Sequence, residues 1–137
     1  MLRCVDTSVW HHSAHDAVME GWAHALEADE IAICDQVRLE ILYSARSAED
    51  YDAISANLAG LHPIACTAAG FQRAFEVQRQ LAHTGGLHHR SVKIADLVIA
   101  AAAEEAAATM WHYDADYDRI AAVTGQPTEW IAPRGSL

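Results

Sequence analysis

The chain has 137 residues with 19 acidic against 9 basic side chains, a formal charge of -10 with histidine neutral. That length can remove roughly 68–70% of the unfolded surface from water as a single domain over residues 1–137, and no window nears the ~20 apolar residues that cross a bilayer. The acid excess argues against a broad basic face and tight non-specific binding to duplex nucleic acid, although eight of the nine cations are arginine, the side chain suited to bidentate phosphate contact.

In chain order, residues 2–5 read as a buried strand, followed at once by Asp6 and the hydroxyls of Thr7 and Ser8. Asp6 suits either a helix cap or a ligand-facing carboxylate, and the hydroxyls can bond that carboxylate or a phosphate. A helical pattern at 16–28 precedes a strand at 31–34 and a helix at 36–45. At ~100° per residue, Glu40 falls beside the stripe of Val37, Ile41 and Ser44. That margin suits a solvated edge residue or one pointed into a pocket. A helix at 48–58, a strand at 63–66 and a helix at 68–82 lead to Gly85-Gly86, a flexible turn without a phosphate-loop pattern.

The helix at 94–108 is apolar nearly all round and is therefore expected to be buried. An ionised Asp96 inside it needs a position at the helix start or a nearby cation. A strand at 109–113 then runs into Asp114, Asp116 and Asp118, three acids in five positions, which exceeds what capping the next helix requires. Asp118 is expected to face solvent beside Arg119. That helix, at 116–123, stops at Gly125, and a last strand occupies 129–132.

Strands alternating with helices predict a three-layer α/β domain with a mainly parallel central sheet of about five short strands. Ligands of such sheets bind beyond the carboxyl ends of the strands, where Asp6, Asp96, Asp114 and Asp116 are placed, with Glu40 in the helix after the second strand. Gathered acids repel and raise one another's pKa unless a cation intervenes, so the pattern predicts a divalent-metal site for phosphoryl transfer.

Other features have simpler readings. Cys4, Cys34 and Cys66 lack CxxC spacing and sit among apolar residues, as buried thiols in a reducing compartment do. His11, His12 and His15 include an i, i+4 pair but no acidic third ligand, and a surface cluster is expected. Trp10 and Trp111 suit core or rim packing, with base stacking as the alternative. His88, His89, Arg90 and Lys93 suit a solvated loop or phosphate contacts.

The order and context of these residues resemble the PIN-domain nucleases, and within them the VapC toxins of toxin-antitoxin pairs. The resemblance rests on Val5-Asp6-Thr7-Ser8-Val9, on Glu40, on Ile94-Ala95-Asp96-Leu97-Val98-Ile99-Ala100-Ala101 and on Asp114-Ala115-Asp116-Tyr117-Asp118-Arg119-Ile120-Ala121. It implies a Mg²⁺- or Mn²⁺-dependent endoribonuclease that cuts cellular RNA, such as tRNA or rRNA, until a cognate VapB-like antitoxin blocks it. By the same resemblance Asp6, Asp96, Asp114 and Asp116 form the metal site and Glu40 orients or activates water. Thr7 and Ser8 then stand at the substrate-facing hydroxyl position. A cytoplasmic homodimer is implied, assembling with antitoxin into a heterotetramer or larger and reaching DNA only through it. An interaction module of the same fold, or an RNA-processing nuclease outside such a pair, is the alternative. A receiver domain would need an acidic pair at the first strand end and a late strand-end lysine, and a haloacid-dehalogenase-like phosphatase would need DxD; Asp6-Thr7-Ser8 and a single lysine match neither.

Overall fold

The computed structural model describes residues 1–137. Five strands, β1 (Arg3–Val5), β2 (Ile31–Cys34), β3 (His62–Ile64), β4 (Thr109–His112) and β5 (Thr128–Trp130), alternate with seven α-helices. These are α1 (Thr7–His12), α2 (Asp16–Glu27), α3 (Asp35–Tyr43), α4 (Ala48–Leu58), α5 (Ala68–His83), α6 (Ile94–Glu105) and α7 (Asp116–Thr124), with a 3₁₀ turn at His88–Arg90. The strands form one sheet in the order β3-β2-β1-β4-β5, and every neighbouring pair is parallel. Parallel neighbours cannot be joined by a tight turn, so helices make the crossovers. This is the layered α/β architecture expected from the alternation of apolar runs.

Strand order decides where chemistry can occur. The chain leaves β1 toward β2 on one side and later reaches β4 on the other, and such a reversal opens a crevice beyond the carboxyl ends of the two central strands. Val5 pairs in register with Trp111, and the Asp6 N–H donates to the Trp111 carbonyl at 3.0 Å. Asp6 therefore begins where β1 ends, beside the exit of β4 toward Asp114.

Burial follows the sheet. All four residues of β2 are buried, as are Cys4 and Val5 of β1 and Met110, Trp111 and His112 of β4. Helix α6 contributes Leu97, Ile99 and the run Ala100 to Ala103, so its small side chains allow a close approach to β2 and β4. Cys4 and Cys34 are core residues as expected, whereas Cys66 is only partly buried.

The structure departs from the expected elements in several places. Residues 7–12 form a helix where no periodic pattern is visible, because Asp6 caps it: its side chain accepts from the Ser8 N–H. The third strand ends at Ile64 rather than 66, because the Cys66 N–H donates to Asp35 Oδ2 at 3.0 Å and is lost to the ladder. The last strand starts one residue early, with the Pro127 carbonyl accepting from Met110, and ends at Trp130.

Helix α6 ends at Glu105 rather than 108, with Ala107 at φ 54°. The Ala108 N–H bonds the Ala103 carbonyl and the Ala107 N–H that of Glu104, the bond pair of a Schellman cap. Left-handed backbone costs an L-residue roughly 1–2 kcal/mol, so Ala107→Gly should stabilise the fold by about 0.5–1 kcal/mol net, read from urea midpoints at unchanged m.

Candidate metal centre

Four separate segments deliver acids to the crevice. Asp6 leaves β1, Asp96 lies in the first turn of α6, Asp114 follows β4, and Asp116 opens α7. Asp6, Asp96 and Asp116 are buried, at 7%, 6% and 4% exposure. Oxygens of Asp96, Asp114 and Asp116 come within 4.8 Å of one another.

Asp6 joins this group through a tyrosine. The Tyr117 hydroxyl, on a fully buried side chain, lies 2.8 Å from Asp6 Oδ1 and 3.2 Å from Asp96 Oδ1, donating toward both. Burial, reinforced by the two carboxylate charges, pushes the tyrosine well above its ordinary pKa, so it keeps its proton as a permanent donor. Ser8 Oγ donates to Asp6 Oδ2 at 2.7 Å, leaving both Asp6 oxygens engaged. Thr7 Oγ1 donates to Glu40 Oε1 at 3.0 Å, which ties Glu40 to the residue after Asp6. Ser8 thus bonds the Asp6 carboxylate, one of the partners expected for these hydroxyls, whereas Thr7 bonds Glu40 instead.

The remaining contacts fix the rim. Asp114 Oδ1 accepts from the Asp116 N–H at 2.9 Å. Asp116 Oδ2 accepts from the Lys93 N–H at 3.0 Å, and its Oδ1 accepts from Arg119 at 3.0 Å. The Lys93 ammonium lies 2.7 Å from Asp114 Oδ2. Asp96 Oδ2, by contrast, is buried with no hydrogen-bond partner.

Electrostatics follow from this packing. Burial first, then the closeness of the Asp116 carboxyl and the charge of Asp6, raise Asp96 to about 8. Burial alone would raise Asp116 too, but the neighbouring Asp96 carboxyl and the Lys93 N–H and ammonium outweigh it and hold Asp116 low. Glu40 is raised by burial, helped by the charge of Asp6 and opposed by the Thr7 hydrogen bond.

These residues fit a hard divalent cation. The donors are carboxylate oxygens, one buried oxygen lacks a partner, and Asp96 retains a proton that a dication could replace. Sequence reasoning named the five acids, gave Lys93 only a solvated loop or phosphate contacts, and gave Tyr117 no role. Tyr117 was discoverable as a tyrosine whose buried hydroxyl would need a partner. Lys93 is the lone lysine, one helical turn before Asp96.

Other sequence candidates lie apart from the site. His15 caps α2, its Nδ1 accepting from the Ala17 N–H, while His12 packs edge-on against Tyr113. Trp111 stacks with Trp22, which Trp10 meets edge-on, so both tryptophans serve packing. Asp118 is exposed, as expected, and accepts from Trp130 Nε1.

Fold and site together define a class: the chain belongs to the PIN domain family, which residues 3–123 match. Over its full 137 residues it is 65% identical to the whole of a protein named Ribonuclease VapC18 from Mycobacterium tuberculosis (strain ATCC 25618 / H37Rv). It is 41% identical to Ribonuclease VapC51 of the same strain over 133 residues, covering 97% of this chain and 95% of that protein. Among solved structures it resembles a chain of DNA-bound VapBC from Salmonella typhimurium, with TM-score 0.77 and 16% identity over 96% of this chain and all of that one. A chain of VapBC2 from Rickettsia felis bound to a promoter fragment gives TM-score 0.75 at 20% identity, covering 95% of this chain and 98% of that one. At those identities the solved structures share the fold.

Two stability measurements probe the site. Tyr117→Phe removes the donor between two buried carboxylates and should cost the metal-free fold about 1–3 kcal/mol in urea unfolding. Asp96 behaves as a raised group: its stability contribution is complete below the ordinary value of 3.8 and drains as pH climbs through about 8. Between pH ~6.5 and ~8.5, the metal-free wild type should therefore lose melting temperature faster than Asp96→Asn. Parallel curves would contradict the assignment.

Proposed function

We propose that this protein is the toxin of a type II toxin-antitoxin pair, a cytoplasmic endoribonuclease that hydrolyses phosphodiester bonds in cellular RNA with Mg²⁺ or Mn²⁺. The observation that carries the reading is the convergence of Asp96, Asp114 and Asp116, with Asp6 tied to Asp96 through Tyr117, beside a buried Asp96 oxygen that lacks a hydrogen-bond partner, in a chain 65% identical to a protein named a ribonuclease. Residues 1–137 serve as a single nuclease domain.

In this reading Asp6, Asp96, Asp114 and Asp116 hold the metal. A dication held there would supply Lewis-acid polarisation of a phosphodiester oxygen and a lowered pKa for water. Glu40 would orient the attacking water and take its proton at the carboxylate. Its raised pKa, caused first by burial, makes it a better base near neutral pH. Ser8 and Thr7 orient Asp6 and Glu40, and we assign their hydroxyls to the substrate-facing lip, where each can donate to a phosphate oxygen once its carboxylate is otherwise engaged. Tyr117 keeps Asp6 and Asp96 side by side through one donated proton. Arg119 holds Asp116.

Partner binding is supported by apolar surface that nothing in the chain covers. Leu39 and Tyr43, 64% and 92% exposed, lie one turn apart on α3 beside Glu40. Phe71, Phe75 and Ile94 are exposed around a groove floored by Leu97 and Val98. Two such faces suit two partners, a second copy of the chain and a VapB-like antitoxin, giving a homodimer and, with antitoxin, a heterotetramer or larger assembly. The acidic chain then meets DNA only through the antitoxin.

Purified protein should cut single-stranded RNA with Mn²⁺ or Mg²⁺ and stop when EDTA is added. Asp6→Asn and Asp96→Asn preserve side-chain volume and remove a charge. Each should lower cleavage by at least the ~10–100-fold that loss of an outer-shell partner costs a metal site, with circular dichroism unchanged. Full cleavage in EDTA, or by both variants, would overturn the reading. Induced expression should arrest growth, and co-expression of the neighbouring antitoxin gene should relieve it.

A further inference from the structure

Lys93 is the only lysine of the chain, and its ammonium, although on an exposed side chain, is drawn onto three acids. Nζ stands 2.7 Å from Asp114 Oδ2, 3.3 Å from Asp116 Oδ2 and 3.7 Å from Asp96 Oδ2. These are the same three acids whose oxygens gather within 4.8 Å. The Asp96 oxygen that lacks a hydrogen-bond partner has this ammonium as its ion-pair partner.

Two parts of Lys93 are held differently. Its backbone N–H donates to Asp116 Oδ2 at 3.0 Å, which anchors the start of α6 to the cluster whatever the side chain does. The side chain is 66% exposed, so its stem has little packing to lose, and charge keeps the tip in place. Neighbouring carboxylates repel; Arg119 offsets the charge of Asp116 alone, whereas the Lys93 ammonium is the cation that meets Asp96, Asp114 and Asp116 together. A divalent ion would supply two charges to the same oxygens at shorter range, and it cannot share them with an ammonium it repels.

We propose that Lys93 is a built-in counter-cation: it occupies the metal position, holds Asp96, Asp114 and Asp116 in their ligating arrangement, and swings outward when a divalent ion binds. This rests on the metal site described above. It gives the enzyme a threshold, because metal must displace an internal competitor before the site is complete. The backbone bond to Asp116 survives the exchange, so the cluster changes its cation without rebuilding the helix start.

The test is isothermal titration of Mn²⁺ into the EDTA-treated, dialysed full-length chain at pH 8.5. Lys93→Met keeps the stem and removes the competitor, and it should bind Mn²⁺ about tenfold more tightly than wild type. Lys93→Arg keeps the charge and should stay within about threefold of wild type. Without metal, Lys93→Met should melt below wild type, and the gap should close at saturating Mn²⁺. Lys93→Gln should follow the methionine variant in sign, which guards against a packing artefact. Wild-type uptake of Mn²⁺ with no tighter binding by either neutral variant overturns the counter-cation and leaves the metal site standing. No uptake by any variant overturns the metal site and the counter-cation together.

Discussion

Four carboxylates brought into one crevice cannot all stay ionised unless something positive stands among them, and much of the site's architecture answers that constraint. Asp96 holds a proton far more readily than an ordinary carboxyl, raised to about 8 by burial first and by its acidic neighbours after that. A hydroxyl hydrogen from Tyr117 lies between Asp6 and Asp96, and an ammonium and a guanidinium close the open side. Each device offsets repulsion that burial would otherwise intensify. A hard dication meets the same demand more completely, which is why such a cluster suits metal chemistry.

The scaffold makes the convergence possible through topology. Because β1 and β4 are adjacent and parallel, residues 6 and 114 leave the sheet on the same side, although more than a hundred positions separate them. Helix α6 approaches closely because Ala100 to Ala103 are small, and its first turn brings Asp96 to the same end of the sheet. Tyr117 fills the remaining space with a ring that packs against His112 and a hydroxyl that reaches two acids. The features that make the core dense therefore also set the spacing of the polar groups.

Glu40 stands at the edge of this arrangement. It belongs to α3 rather than to a strand end, it is only partly buried, and its link to the centre is one hydrogen bond from Thr7. A carboxylate so placed keeps access to solvent while its pKa is raised, which are the two properties a general base needs. The exposed Leu39 lies next to it in the helix, so a partner covering that face would also bear on Glu40.

The sequence by itself determined the alternation of strands and helices, and with it a parallel sheet whose strand ends carry acids. Apolar runs of period two and 3.6 record burial directly, and Asp6, Asp96 and Asp114 were visible because a carboxylate beside such a run is costly without a purpose. Helix α1 was signalled only by Asp6 as a possible cap, because Thr7 to His12 has no apolar periodicity. The third strand ended early for a reason invisible along the chain, a hydrogen bond from Cys66 to Asp35 across 31 positions. Only the tertiary structure decided that Tyr117 bridges Asp6 and Asp96 and that Lys93 rests on three acids. Those contacts depend on the angle and spacing at which separate elements pack, quantities that no local run of residues encodes.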